Sequence, residues 1–178
     1  MQQKNTLDIL NELIVSFYSS RLIIVDKVIS KFLKTLVENK ELFEILSDCV
    51  NAYDYETEYQ NALTTTDNKT TFLLPRSRRK TIALVSGLLF EFDNKSKNII
   101  DFVTTFFPAE TSHESYIKFL DNIITPFADS FAMLLTTNYD LPEIKPETQN
   151  EIFPDAAKEQ CTYWLTQLSD SIISSNKI

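Results

Sequence analysis

An all-α fold, an irregular bundle of five to seven helices in a single compact domain, is what this sequence predicts. Three observations lead there. Apolar residues recur at spacings of three and four along most of the chain, the period of an amphipathic helix. Gly87 is the one glycine in 178 residues, where average usage of roughly 7% would place about a dozen. Thirteen Phe, seven Tyr and one Trp supply a large apolar payload for a core.

The first helical stretch covers Thr6 to Glu38. Leu7, Leu10, Ile14 and Phe17 form its first stripe; Leu22, Val25, Ile29, Phe32 and Leu36 form a second, out of phase with the first. Ser19-Ser20 lies at the phase change, so a bend or break is expected there. Asn39 is a suitable N-cap for the second helix, with Glu41 in its first turn. That helix carries Leu42, Leu46, Cys49, Tyr53 and Leu63 on its apolar side. Thr64 to Thr71 reads as a polar loop. Pro75 suits the first turn of a third helix, which continues to Phe92 through Ile82, Val85 and Leu89.

Asp93 to Lys97 is a polar turn, followed by a short helix with Ile99, Val103 and Phe106 that stops at Pro108. Thr111 and Glu114 have the spacing of a capping box at the start of the fifth helix. Its stripe runs Tyr116, Leu120, Ile123, Phe127, Phe131, Leu134, and Pro126 should kink it. Asn138 to Pro146 is a loop with two prolines. The last helix starts at Pro154 and carries Ala157, Cys161, Trp164, Leu168 and Ile172. If the single domain 1–178 divides at all, the sub-units are 1–63 and 75–178. Asp26–Phe32 echoes Asp121–Phe127, a weak hint of helical duplication.

Composition removes several function classes. Phosphate-cradling loops, dinucleotide fingerprints and nucleophile elbows need glycines that the chain lacks. One histidine, His113, excludes any zinc site built on two or three histidines. Glu110 and His113 have E-x-x-H spacing, but a carboxylate-bridged di-iron centre needs that motif twice. Cys49 and Cys161 sit at apolar-stripe positions and read as buried thiols of a reducing, cytoplasmic compartment. The net charge of −8 argues against nucleic acid as a partner. Ala83 and Gly87 have the spacing of a helix-turn-helix, yet Asp93 and Ser96 stand where apolar residues belong. The N-terminal segment contains Asp8 and Glu12 inside its apolar pattern, so no export signal is expected from it; the aliphatic run Leu22–Val25 is far short of a membrane span. No metal, no cofactor and no membrane partner is expected.

The most unusual local feature is Arg76-Ser77-Arg78-Arg79-Lys80, which holds four of the seventeen basic residues of an acidic chain. These cations fall at a predicted helix N-terminus, where they oppose the macrodipole. Such a local violation marks a candidate site, and arginine forks bind carboxylates and phosphates bidentately. The competing reading is an internal latch to the acidic, tyrosine-rich stretch Tyr53–Tyr59. Gly87, four residues after Ala83, permits a close helix crossing.

Glu38, Glu41 and Glu44 stand at i, i+3, i+6. This E-x-x-E pattern resembles the first half of the magnesium site of all-α nucleotide pyrophosphatases, which implies a magnesium-dependent hydrolase if four carboxylates converge. The second half of that motif is absent. The leading expectation is therefore a non-catalytic helical module that binds another protein or self-associates. The alternative is anion or small-molecule binding at Arg76, Arg78, Arg79 and Lys80.

Overall fold

A computed structural model describes residues 5–137 of the protein. In chain order these form α1 (Thr6–Tyr18), α2 (Val25–Glu38), α3 (Lys40–Ala52), α4 (Tyr55–Ala62), β1 (Leu63–Thr66), β2 (Lys69–Phe72), α5 (Arg78–Asp93), α6 (Ile99–Phe106), α7 (Ser112–Phe119) and α8 (Thr125–Thr136). A π-turn, Leu120–Ile124, joins α7 and α8 into one rod. The fold is an all-α bundle carrying one small hairpin. The loop expected over Asn138–Pro146 and the helix expected from Pro154, with Cys161 and Trp164, lie outside the described residues.

Local chemistry explains the boundaries. Asn39 caps α3 as expected, its side chain accepting from Leu42 N at 3.1 Å. The phase change at Ser19-Ser20 is a true break: α1 ends, a single 3-10 turn (Leu22–Ile24) intervenes, and α2 begins. Tyr116, fully buried on α7, holds that break by donating its hydroxyl to Phe17 O at 2.9 Å. Phe17 O also accepts from Ser20 N at 3.1 Å, so the hydroxyl takes the second lone pair of a helix-end carbonyl and ties α7 to the end of α1. Thr111 caps α7 by accepting from Glu114 N at 3.2 Å.

Four expectations need correction. The second helix is interrupted, because Asp54 accepts from Thr57 N at 2.9 Å and starts α4 anew. The segment Thr64–Thr71 is part of an antiparallel hairpin, with Leu63 opposite Phe72 and Thr66 opposite Lys69. Asp67 and Asn68 between the strands have φ of 51° and 62°, the left-handed pair of a two-residue hairpin turn. Pro75 lies before α5 rather than in its first turn. Ser77 is the cap, accepting from Lys80 N, and Pro75 O receives the Thr81 hydroxyl at 3.1 Å. Pro126 does not kink a continuous α-helix. The preceding π-turn, closed by Thr125 N on Leu120 O, widens the backbone just ahead of the proline, where an α-helix would lose a hydrogen bond and clash with the ring.

The core is one hydrophobic cluster running from Leu10 on α1 to Phe131 on α8. Its aromatic centre joins Phe72, Phe92, Phe102 and Phe119; Phe72 and Phe102 meet edge-on at 5.1 Å. α5 runs through the middle. Every residue from Thr81 to Phe90 is buried, so this helix is enclosed on all sides, as expected of a helix apolar all round. α8, α2, α3 and α4 surround it.

Gly87 lets α4 come that close. A Cβ there would lie 2.6 Å from Tyr55 Cγ and 2.8 Å from Cε2. The ring cannot easily retreat, because its hydroxyl donates to Glu91 one turn further along α5. In an open helix Gly87→Ala would stabilise by about 1 kcal/mol. Here overpacking should reverse the sign and cost about 1–3 kcal/mol, measured by urea denaturation. A more stable Gly87→Ala protein would contradict the notch.

Candidate functional site

The basic cluster forms the mouth of α5, and the fold divides it in two. Arg79 and Lys80 turn inward. Arg79 makes an ion pair with Asp48 of α3, and its charge acts on the neighbouring Cys49 thiol. Lys80 makes an ion pair with Glu58 of α4 at 2.9 Å, and its ammonium stands 5.5 Å from the centre of the Tyr53 ring. Glu58 is only 5% exposed. A carboxylate so enclosed depends on its partner, since an unpaired buried charge is very costly.

Arg76 and Arg78 point the other way. Both are exposed, and among the described residues neither makes an ion pair. Arg76 precedes the Ser77 cap and Arg78 opens the first turn. Leu73, 60% exposed, lies three residues before Arg76. Two guanidinium groups are thus mounted at the entrance of the most enclosed helix, with an exposed apolar residue three positions before the first of them in the chain. The Ser77 cap and the inward pairs of Arg79 and Lys80 fix their backbone.

The latch expected from Tyr53–Tyr59 therefore exists for one of the four cations. Lys80 takes both Glu58 and the face of Tyr53. Asp54 and Glu56 do not take part: Asp54 caps α4, and Glu56 accepts from Gln60 at 3.1 Å. Sequence reasoning missed Asp48 as the partner of Arg79. It lies on α3, one turn before the interruption at Tyr53, and only the crossing of α3 over the start of α5 brings it there.

The carboxylates Glu38, Glu41 and Glu44 do not share a helix face. Asn39 separates Glu38, at the end of α2, from Glu41 and Glu44 on α3. Glu38 pairs with Lys34 at 3.7 Å and Glu44 with Lys40 at 3.8 Å, while Glu41 accepts from Thr6 at the start of α1. Among the described residues no three or more His, Cys, Asp or Glu gather as a metal site would require. Glu110 and His113 are both exposed beside the α7 cap.

A second exposed feature is the corner after α1. Val15 is 62% exposed, Ile23 83% and Ile24 57%. No helix among the described residues is long and apolar enough to cross a membrane. No protein-family model, no curated protein and no solved structure matches the chain, so its functional reading rests on this geometry.

Cys49, at the seat of Arg79, gives the cluster a measurable pH signature. Burial pushes its thiol up to about 11 from an ordinary 9.0, against the opposing pull of the Arg79 charge. From pH 9 upward the unfolded chain ionises this thiol and the folded chain does not. The native state then holds the extra proton, and stability falls with rising pH. Tyr18, Tyr55 and Tyr116 are also raised by burial from an ordinary 10.0 and add to the loss near pH 10, so the difference between the wild type and a variant without the thiol is what reports on Cys49. Denaturation at pH 8.5 and 10 should show this loss in the wild type and a flatter profile in Cys49→Ala. Identical profiles would contradict it.

Proposed function

We propose that this protein is a non-catalytic interaction module that binds an acidic protein segment through Arg76 and Arg78. The observation that carries this reading is the division of the basic cluster. Arg79 and Lys80 neutralise acids of α3 and α4, whereas Arg76 and Arg78 have no ion pair among the described residues. Cations at a helix N-terminus cost about 0.3–1 kcal/mol each against the macrodipole. Arg76 and Arg78 thus bring no evident gain in stability, which fits a role outside the fold.

Chemistry narrows the partner. Guanidinium forks match carboxylates bidentately, and the exposed Leu73, three residues before Arg76, offers an apolar contact. An acidic peptide with an apolar residue suits all three. A duplex nucleic acid suits them poorly, because a chain of net charge −8 repels phosphate polymers over most of its surface. A reducing, cytoplasmic setting agrees with the buried thiol of Cys49.

The test is the double variant Arg76→Glu/Arg78→Glu, with a labelled oligo-glutamate peptide as probe in fluorescence anisotropy. Binding should weaken about tenfold or more, as for two lost charge-assisted contacts. The melting temperature should hold or rise, since the new charges favour the helix dipole. Competition by inorganic phosphate at micromolar concentration would instead support a small-anion site. A change in sedimentation of the variant would identify a second copy as the partner. A variant that binds the probe as well as the wild type overturns the reading.

A further inference from the structure

We propose that the corner after α1 and the outer ridge of α2 form a docking face for an anionic lipid surface. Ile23 and Ile24 enter the bilayer interface, and Lys27 and Lys31 meet the headgroups. This face is separate from the α5 mouth and does not rest on the reading above.

Exposure gives the first argument. Ile23, 83% exposed, and the exposed Ile24 stand side by side in the 3-10 turn between α1 and α2. Their chain neighbours Leu22 and Val25 are buried, so the turn is already anchored and the two isoleucines add little to the core. A side chain that stands this free is a projection and not the wall of a groove.

The cations give the second. Lys27, Lys31 and Lys34 fall within about 60° of arc at 3.6 residues per turn. Val25, Ile29, Phe32, Leu33 and Leu36 are buried on the opposite side, so the lysines form the outermost ridge of α2. Ile24, at the N-cap of α2, comes one turn before Lys27. Residues 21–34 hold four cations and one acid, in a chain of net charge −8. Of the two acids on α2, Asp26 pairs with Lys95 and Glu38 with Lys34. Arg21, Lys27 and Lys31 are exposed, and among the described residues none of the three makes an ion pair.

Side-chain type favours lipid over an acidic protein. Arginine forks match a carboxylate of fixed geometry, as at the α5 mouth, whereas lysine is a flexible point charge. Its stem can lie along apolar surface while the ammonium stays at headgroup level. Two projecting aliphatic residues need a matched pocket in a protein, but a fluid interface receives them without one. No helix among the described residues is long and apolar enough to cross a membrane, so the contact is one of lying on the surface. The expectation of no membrane partner, drawn from the lack of a span, does not bear on such a face. Acids elsewhere on the chain act weakly here, because charges are screened beyond about 8 Å at physiological ionic strength.

The test is co-sedimentation of the full chain with vesicles of phosphatidylcholine, alone or with about 30% phosphatidylserine. The wild type should sediment with the anionic vesicles and about tenfold less with the neutral ones. Lys27→Glu/Lys31→Glu and, separately, Ile23→Ser/Ile24→Ser should each weaken retention about tenfold or more. All four positions are exposed, and unchanged melting temperatures check that the fold is intact. Arg76→Glu/Arg78→Glu should sediment as the wild type does. Retention that survives either pair of substitutions at the corner, or that is lost with Arg76 and Arg78, overturns the inference. A wild type that ignores both kinds of vesicle also overturns it, and oligo-glutamate binding through Lys27 and Lys31 would then assign the face to an acidic protein.

Discussion

The enclosure of α5 is the constraint on which the rest of the structure depends. A helix buried from Thr81 to Phe90 has no solvent side, so its neighbours must approach on every face and only its ends remain for charge. Gly87 is part of the same constraint. Without a side chain there, the Tyr55 ring can lie on the helix backbone while its hydroxyl reaches Glu91. Glu91 is held in turn by Lys97 at 3.3 Å, whose ammonium stands 4.3 Å from the centre of the Tyr59 ring. α4 is thereby fixed along α5, and Glu58 is carried to Lys80.

This geometry explains why a run of four cations does two jobs. The first turn of α5 lies where the core ends and solvent begins. Lys80 and Arg79 fall on the side that faces α4 and α3, and they meet acids there. Arg78 and Arg76 fall outside that contact. Helical periodicity separates Arg78 from the side that Arg79 and Lys80 share, and Arg76 lies ahead of the Ser77 cap, so a single basic run at a buried helix mouth is both an internal clamp and an open surface.

Much of the fold was legible in the sequence because it is written locally. Apolar stripes, the Asn39 and Thr111 caps, and the phase change at Ser19-Ser20 each depend on residues within a turn or two. The hairpin escaped because its strands are mostly exposed threonines, which give no apolar alternation; the legible signal was β-branched residues on both sides of Asp67-Asn68. The π-turn before Pro126 is a backbone response to ring sterics that composition does not display. The basic cluster was legible as an oddity. Its division was not, because Asp48 and Glu58 reach it through helix crossings, which no spacing rule along one chain reveals.

The central claim is that adjacent cations of one cluster have different duties, and the most direct measurement compares Lys80→Met with Arg78→Met by urea denaturation at neutral pH. Lys80→Met leaves Glu58 buried without its ion pair and should cost about 2–4 kcal/mol, near the lower end for a broken buried pair. Arg78→Met should stay within about 0.5 kcal/mol of the wild type. Equal losses in the two variants would contradict the account.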